Sequence, residues 1–165
     1  MAEISLGGTA VHTSGELPAV GSTAPSYELV GADLSTIDSS GRSGRTVLNI
    51  FPSVDTPTCA TSVRRFNELV GQLEDTEVIC VSADLPFAAS RFCGAEGLEH
   101  VATGSTFRGS SFASDYGVEL VDGPLAGLLA RAVVVLDTDG TVLHSQLVPE
   151  IADEPDYDAA MAVLG

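Results

Sequence analysis

Apolar and polar positions along the chain fall into short, distinct patterns that mark its elements. Residues 3–12 alternate on either side of Gly7-Gly8 and read as a β-hairpin. Residues 27–30 and 34–37 predict short strands, followed by a polar loop at 38–45. The apolar run at 47–51 reads as a buried strand. From Pro57 to Leu73 the period changes to that of a helix, with Cys59, Val63, Phe66, Leu69, Val70 and Leu73 on one face. Arg64, Arg65 and Glu68 lie off that face, which predicts that both arginines face solvent. Residues 77–82 form the next strand, and 86–93 a short helix ending near Gly94 and Gly97. The stretch 101–127, rich in glycine and serine, is weakly patterned and predicts only a short helix near 110–116. Strands at 132–137 and 142–148 flank the turn Asp139-Gly140, and a last helix spans 156–164 after Pro155.

This order is a hairpin, then β-α-β-α, then a hairpin and a helix. It fits the α/β class: a thioredoxin-like three-layer sandwich with a central mixed β-sheet and an N-terminal β-hairpin. No repeat or linker interrupts it, so residues 1–165 are expected to form a single domain.

The net charge of −16 excludes the usual basic footprint of a nucleic-acid binder and disfavours anionic membranes. The chain has no lysine; all 7 basic residues are arginine. No apolar run approaches a membrane span, and the N-terminus lacks the pattern of a signal peptide, so the expected location is the cytoplasm. Three cysteines in a cytoplasmic chain are not a disulfide framework. Metal is not expected either: there is no C-x-x-C or H-E-x-x-H, and His12, His100 and His144 lack ligand spacing. No cofactor is implied.

The densest chemistry lies in Pro52-Ser-Val-Asp-Thr56-Pro-Thr-Cys59. Thr56 is a suitable N-cap and Pro57 suits the first helical position, which puts Cys59 at the third. There it meets free backbone N–H groups and the positive end of the helix dipole. Cysteines at helix N-termini have their pKa lowered from about 8.5 to roughly 3.5–7.5, and the thiolate is the nucleophile. The bland alternative is a small apolar residue on a buried face. Arg131 has the most apolar flanks of any arginine here, between Leu128-Leu-Ala130 and Ala132-Val-Val-Val135. A guanidinium buried there needs a partner, either a thiolate or polarised substrate, or a carboxylate in a structural salt bridge. Cys80, between apolar neighbours in a strand, reads as core.

The motif Pro52-x-x-x-Thr56-x-x-Cys59 resembles the peroxiredoxin active site. Residues 15–18, 49–57, 84–87, Arg91-Phe-Cys93, 128–132 and Val148-Pro-Glu150 are similar to one subfamily, the thiol peroxidases or atypical two-cysteine peroxiredoxins, and the resemblance covers nearly the whole chain. It implies that Cys59 attacks a hydroperoxide and becomes a sulfenic acid. It also implies that Thr56 orients the peroxide, that Pro52 shapes and shields the pocket, and that Cys93 resolves Cys59 as an intramolecular disulfide. Thioredoxin would reduce that disulfide, and the protein would be a homodimer joined near the active-site helix. Two cysteines on separate helices need not lie within disulfide reach, so the first turn of the Cys59 helix and residues 86–97 are expected to unwind. Three other readings stay open: a peroxidase using Cys59 alone with an external thiol, a thioredoxin-fold redox sensor or binding module, and an inert scaffold.

Overall fold

The computed structural model describes residues 1–41 and 44–164. Its elements run β1 (Glu3–Leu6), β2 (Thr9–His12), β3 (Glu28–Val30), β4 (Thr36–Asp38), β5 (Arg45–Ile50), α1 (Pro57–Val70), β6 (Thr76–Ser82), α2 (Pro86–Glu96), β7 (Val101–Ser105), α3 (Phe112–Asp115), β8 (Ala132–Leu136), β9 (Val142–Leu147) and α4 (Tyr157–Ala162). β1 and β2 form the expected two-stranded hairpin. The other seven strands form one sheet in the order β4-β3-β7-β6-β5-β8-β9. β5, β6 and β7 are parallel, whereas β3 and β8 run antiparallel to the strands they flank, so the sheet is mixed.

The central strands bury both faces. On one, Val47, Phe51, Val78, Cys80, Val133 and Val135 pack with Cys59, Val63, Phe66 and Val70 of α1 and with Ala160 of α4. On the other, Leu48, Ile50, Ile79, Val81 and Val134 pack with Tyr27, Phe112 and Tyr116. A third cluster, including Ile4, Val11, Leu120, Ala130 and Ile151, seats the N-terminal hairpin.

Several boundaries differ from the sequence reading. The second short strand begins at Thr36, not 34, because Leu34 sits in a turn with φ of 69°. In the loop expected at 38–45, Asp38 ends β4 and Arg45 begins β5, while residues 42–43 lie outside the described residues. The Cys59 helix stops at Val70, before Gly71; α2 runs on to Glu96, capped by Gly97 in the left-handed region. α4 is shorter than 156–164, with the Asp156 carboxylate accepting the Ala159 N–H at 3.0 Å as its N-cap.

The largest correction is β7, a full strand between β3 and β6 within the stretch read as weakly patterned. Its sequence, Val-Ala-Thr-Gly-Ser, offers no apolar alternation, and it is buried by close approach instead. A Cβ at Gly104 would lie 2.8 Å from Leu29 and 3.2 Å from Ile79, so only glycine fits there without displacement.

Candidate active site

β5 delivers the chain to the site. After Ile50 it turns through buried Phe51 and Pro52, and α1 starts at Pro57 with Thr56 as the extended N-cap residue. Cys59 is therefore the third helical residue, as its spacing predicts, and it is fully buried. The Ser62 hydroxyl donates to the Cys59 carbonyl at 2.8 Å and accepts from Asn49 Nδ2 of β5 at 3.3 Å. This buried chain fastens the first turns of α1 to the sheet.

Thr56 departs from the expected cap. Its hydroxyl donates to the Ser53 carbonyl at 3.0 Å rather than taking a first-turn N–H. Two consequences follow. The first-turn amides, which have no intrahelical acceptor, stay available around Cys59. The Thr56 oxygen, its proton committed to Ser53, faces any ligand as an acceptor.

Arg131, just before β8, is 2% exposed. Its Nη2 donates to Cys59 Sγ at 3.3 Å, and its Nε donates to the Ile151 carbonyl at 2.7 Å. Nη1 is buried and has no hydrogen-bond partner among the described residues. Among the described residues the hydrogen-bond partners of the Arg131 guanidinium are a thiol and a carbonyl rather than a carboxylate. The Ala152 carbonyl accepts from Thr58 Oγ1 at 2.8 Å, so one loop holds both the start of α1 and the arginine. Glu150 braces that loop: its carboxylate accepts from Ala152 N at 3.0 Å, Gly8 N at 3.0 Å and Ser5 Oγ at 3.1 Å. The Ala152 N–H, followed by the hairpin donors, holds the Glu150 carboxyl below its ordinary range.

Cys93 lies elsewhere. It is half-buried on α2 and lines a cavity of about 520 Å³ with Ile37, Leu98 and Thr103, among others. Burial pushes its thiol pKa up. Cys59, Cys80 and Cys93 are all free thiols, so the structure holds the two candidate redox cysteines unjoined on separate helices. Cys80 is core, as expected, and burial pushes its thiol up to about 12. Arg64 and Arg65 are exposed as expected, paired with Glu96 at 2.8 Å and Glu68 at 3.3 Å. His12 pairs with Asp122 at 2.7 Å, so its role is to fasten the hairpin.

Sequence reasoning missed Ser53, Asp84, Glu150 and the Ile151 carbonyl. Asp84 accepts from Ser53 Oγ at 2.7 Å and Val54 N at 2.8 Å, which pins the loop before Thr56. For Ser53, Asp84 and Glu150 the local signal was their place inside segments that resemble the subfamily, and Ile151 lies just past the last of these.

Comparisons with known proteins bear on the family and the fold. A family profile described as Redoxin matches residues 19–161. A thiol peroxidase of Mycobacterium tuberculosis is 60% identical, over 100% of this chain and 99% of its own length. Among solved structures, a peroxiredoxin-like protein of Aquifex aeolicus is 39% identical with a TM-score of 0.92, covering 99% of this chain and 96% of its own. A thiol peroxidase of Chromobacterium violaceum, 23% identical, shares the fold with a TM-score of 0.91, covering 99% of this chain and 96% of its own. No helix among the described residues is long and apolar enough to cross a membrane. The expected α/β, thioredoxin-like fold is the observed one, and the chain belongs to the Redoxin family as a thiol peroxidase, an enzyme that reduces peroxides at the expense of thiols.

Proposed function

We propose that Cys59 is the nucleophile of this peroxidase and that Arg131 is its electrostatic partner. The supporting observation is the guanidinium itself: one nitrogen bonds Cys59 Sγ at 3.3 Å, while a second, buried and unpartnered, is left for the substrate. The Cys59 thiolate attacks the terminal oxygen of a hydroperoxide. The O–O bond breaks, a sulfenic acid forms, and the departing alkoxide or hydroxide takes up a proton to leave as alcohol or water. Arg131 Nη1 is the donor for the charge developing on the peroxide oxygens. The Thr56 oxygen accepts the peroxide O–H and fixes its approach, since its own proton is spent on Ser53. Pro52, buried at the end of β5, shields the sulfur from water.

Cys93 then condenses with the sulfenic acid to give a Cys59–Cys93 disulfide and water. The two thiols start on different helices, so closure requires the first turn of α1 and part of α2 to unwind. A dithiol protein of the thioredoxin class reduces the disulfide by exchange, in the cytoplasm. The protein works as a homodimer joined near α1.

The test is one equivalent of peroxide added to the reduced protein, with intact mass and non-reducing peptide maps. Loss of two hydrogens with a Cys59–Cys93 linked peptide is expected. Oxygen retained on Cys59 without a disulfide would reduce the cycle to one cysteine, and an unmodified Cys59 would overturn it. With Cys93→Ser, thioredoxin-coupled turnover should collapse while the first oxidation of Cys59 survives.

A further inference from the structure

Asp84 stands between β6 and α2, one residue before the N-cap Leu85, and its hydrogen bonds reach across to the loop that carries Thr56. Oδ1 accepts from Ser53 Oγ at 2.7 Å; Oδ2 accepts from Val54 N at 2.8 Å and Ser82 Oγ at 2.9 Å. The Asp84 carbonyl accepts from Ser105 Oγ of β7 at 2.5 Å. Ser53 passes the constraint on: its carbonyl accepts both the Thr56 hydroxyl, at 3.0 Å, and the Thr56 N–H, at 3.2 Å. One carboxylate thus holds the peroxide-facing threonine through a single intermediate and sits at the head of the helix that bears Cys93.

Two surface contacts join the same pair of elements. Arg91 of α2 reaches Asp55 of the loop at 3.1 Å, and Arg64 of α1 pairs with Glu96 of α2 through two bonds of 2.8 and 3.1 Å. These ends are exposed and weak. The Asp84 bonds are part-buried and charge-assisted, roughly twice as strong as neutral ones.

We propose that Asp84 is a positioning residue that couples the Cys59 loop to the Cys93 helix, so that both are held for peroxide attack and released together for disulfide closure. This rests on the assignment of Cys93 as the resolving cysteine. Val54 N–H is the contact that sets the geometry, because a backbone donor cannot reverse its role as a hydroxyl can. Loss of the carboxylate frees the loop and the head of α2 in one step.

The consequence is a shift in a competition. The Cys59 sulfenic acid either closes on Cys93, releasing water, or meets a second peroxide, which gives the sulfinic acid and one more alcohol or water. Easier release favours closure. In Asp84→Ala the rate of disulfide closure after a peroxide pulse should rise about tenfold, and the sulfinic fraction at excess peroxide should fall in step. Asp84→Asn, which keeps an acceptor for Val54 N–H, should lie between it and the wild type. Hydrogen exchange of residues 53–58 and of α2 should quicken together in both variants. A residue that only supports the fold would lower the melting temperature and leave the sulfinic fraction where it was. Closure within twofold of wild type in both variants, or faster exchange in the loop with α2 unchanged, overturns the coupling. Absence of a Cys59–Cys93 disulfide in the wild type itself overturns the assignment of Cys93, and the coupling with it.

Discussion

The helices that carry Cys59 and Cys93, the two proposed redox cysteines, are held in opposite ways. α1 buries Cys59, Ala60, Ser62, Val63, Phe66 and Val70 against the sheet, and its first turns are fastened by Asn49, Ser62 and the Ala152 carbonyl. α2 buries only Pro86 and Ala89. Beyond these, partly buried Phe92 packs against the core and Asp84 ties its head, while the rest of its hold is ionic and peripheral: Arg64 to Glu96, Arg91 to Asp55, and Arg64 over the Phe92 ring at 5.6 Å. An apolar face costs more to expose than surface ion pairs, so α2 is the more weakly held of the two helices. Peroxide chemistry needs donors fixed in advance, whereas resolution needs a thiol that can travel. The proposed division of labour follows the division in packing.

The firmest way to break the comparison is at the sulfur. Cys59→Ser should lower peroxide consumption by about a thousandfold or more, because a serine hydroxyl at neutral pH is a far weaker nucleophile. Consumption of peroxide with a dithiol reductant reads this directly, and a loss of less than about tenfold would overturn the assignment. Arg131→Met comes next. Losing one preorganised donor costs about 10²–10³ in rate. Its stability should move little or rise, since removing a buried guanidinium with an unpartnered nitrogen relieves a desolvation cost. A slower peroxide step with an unchanged or higher melting temperature marks Arg131 as functional; a steep loss of stability would mark it as a structural strut.

The parts of the site that were legible in the sequence are those set by local rules. Thr56-Pro57 at the head of an amphipathic run places Cys59 at the third helical position without knowledge of the rest. Arg131 shows through its apolar flanks, since burial of that segment forces burial of its charge. Pairings across the chain left no such trace. Ser53 meets Asp84 31 residues away, Arg131 meets Ile151 20 away, and Gly8 meets Glu150 142 away. Thr56 misled because a hydroxyl at an N-cap has two outlets, and the tight Ser53 turn offered the nearer acceptor. β7 escaped because its burial comes from missing side chains rather than from apolar ones.

The Glu150 brace sharpens the comparison on the α1 side through pH. Its folded pKa is depressed, first by the Ala152 N–H, so its stabilising contribution is complete above the unfolded value of about 4.3 and is lost as pH falls through the folded value. Below about pH 4 the bonds to Ala152, Gly8 and Ser5 should loosen, releasing the loop whose Ile151 carbonyl holds Arg131. Amide exchange at Ala152 and Gly8, followed from pH 6 down to 3, should show the protection of both falling together. In Glu150→Gln the pH dependence of that protection should flatten. Unchanged pH dependence in the variant would assign the effect to another carboxylate.

The smallest effect concerns the outer hold on α2. Arg64→Ala removes both the bidentate contact to Glu96 and the ring contact to Phe92. Exposed pairs of this kind contribute little, so exchange in α2 should quicken by only about twofold, with α1 unaffected. Raising ionic strength from 0.1 to 1 M shortens the screening length from about 10 Å to about 3 Å and should reproduce part of that change in the wild type. In Arg64→Ala the salt effect should shrink to what screening of the remaining Arg91–Asp55 pair supplies. If salt and the substitution both left α2 untouched, its hold would have to come from the Pro86, Ala89 and Phe92 contacts and the Asp84 bonds at its head. The weak ionic outer layer would then be incidental, and the contrast between the two helices would narrow to how much apolar surface each one buries.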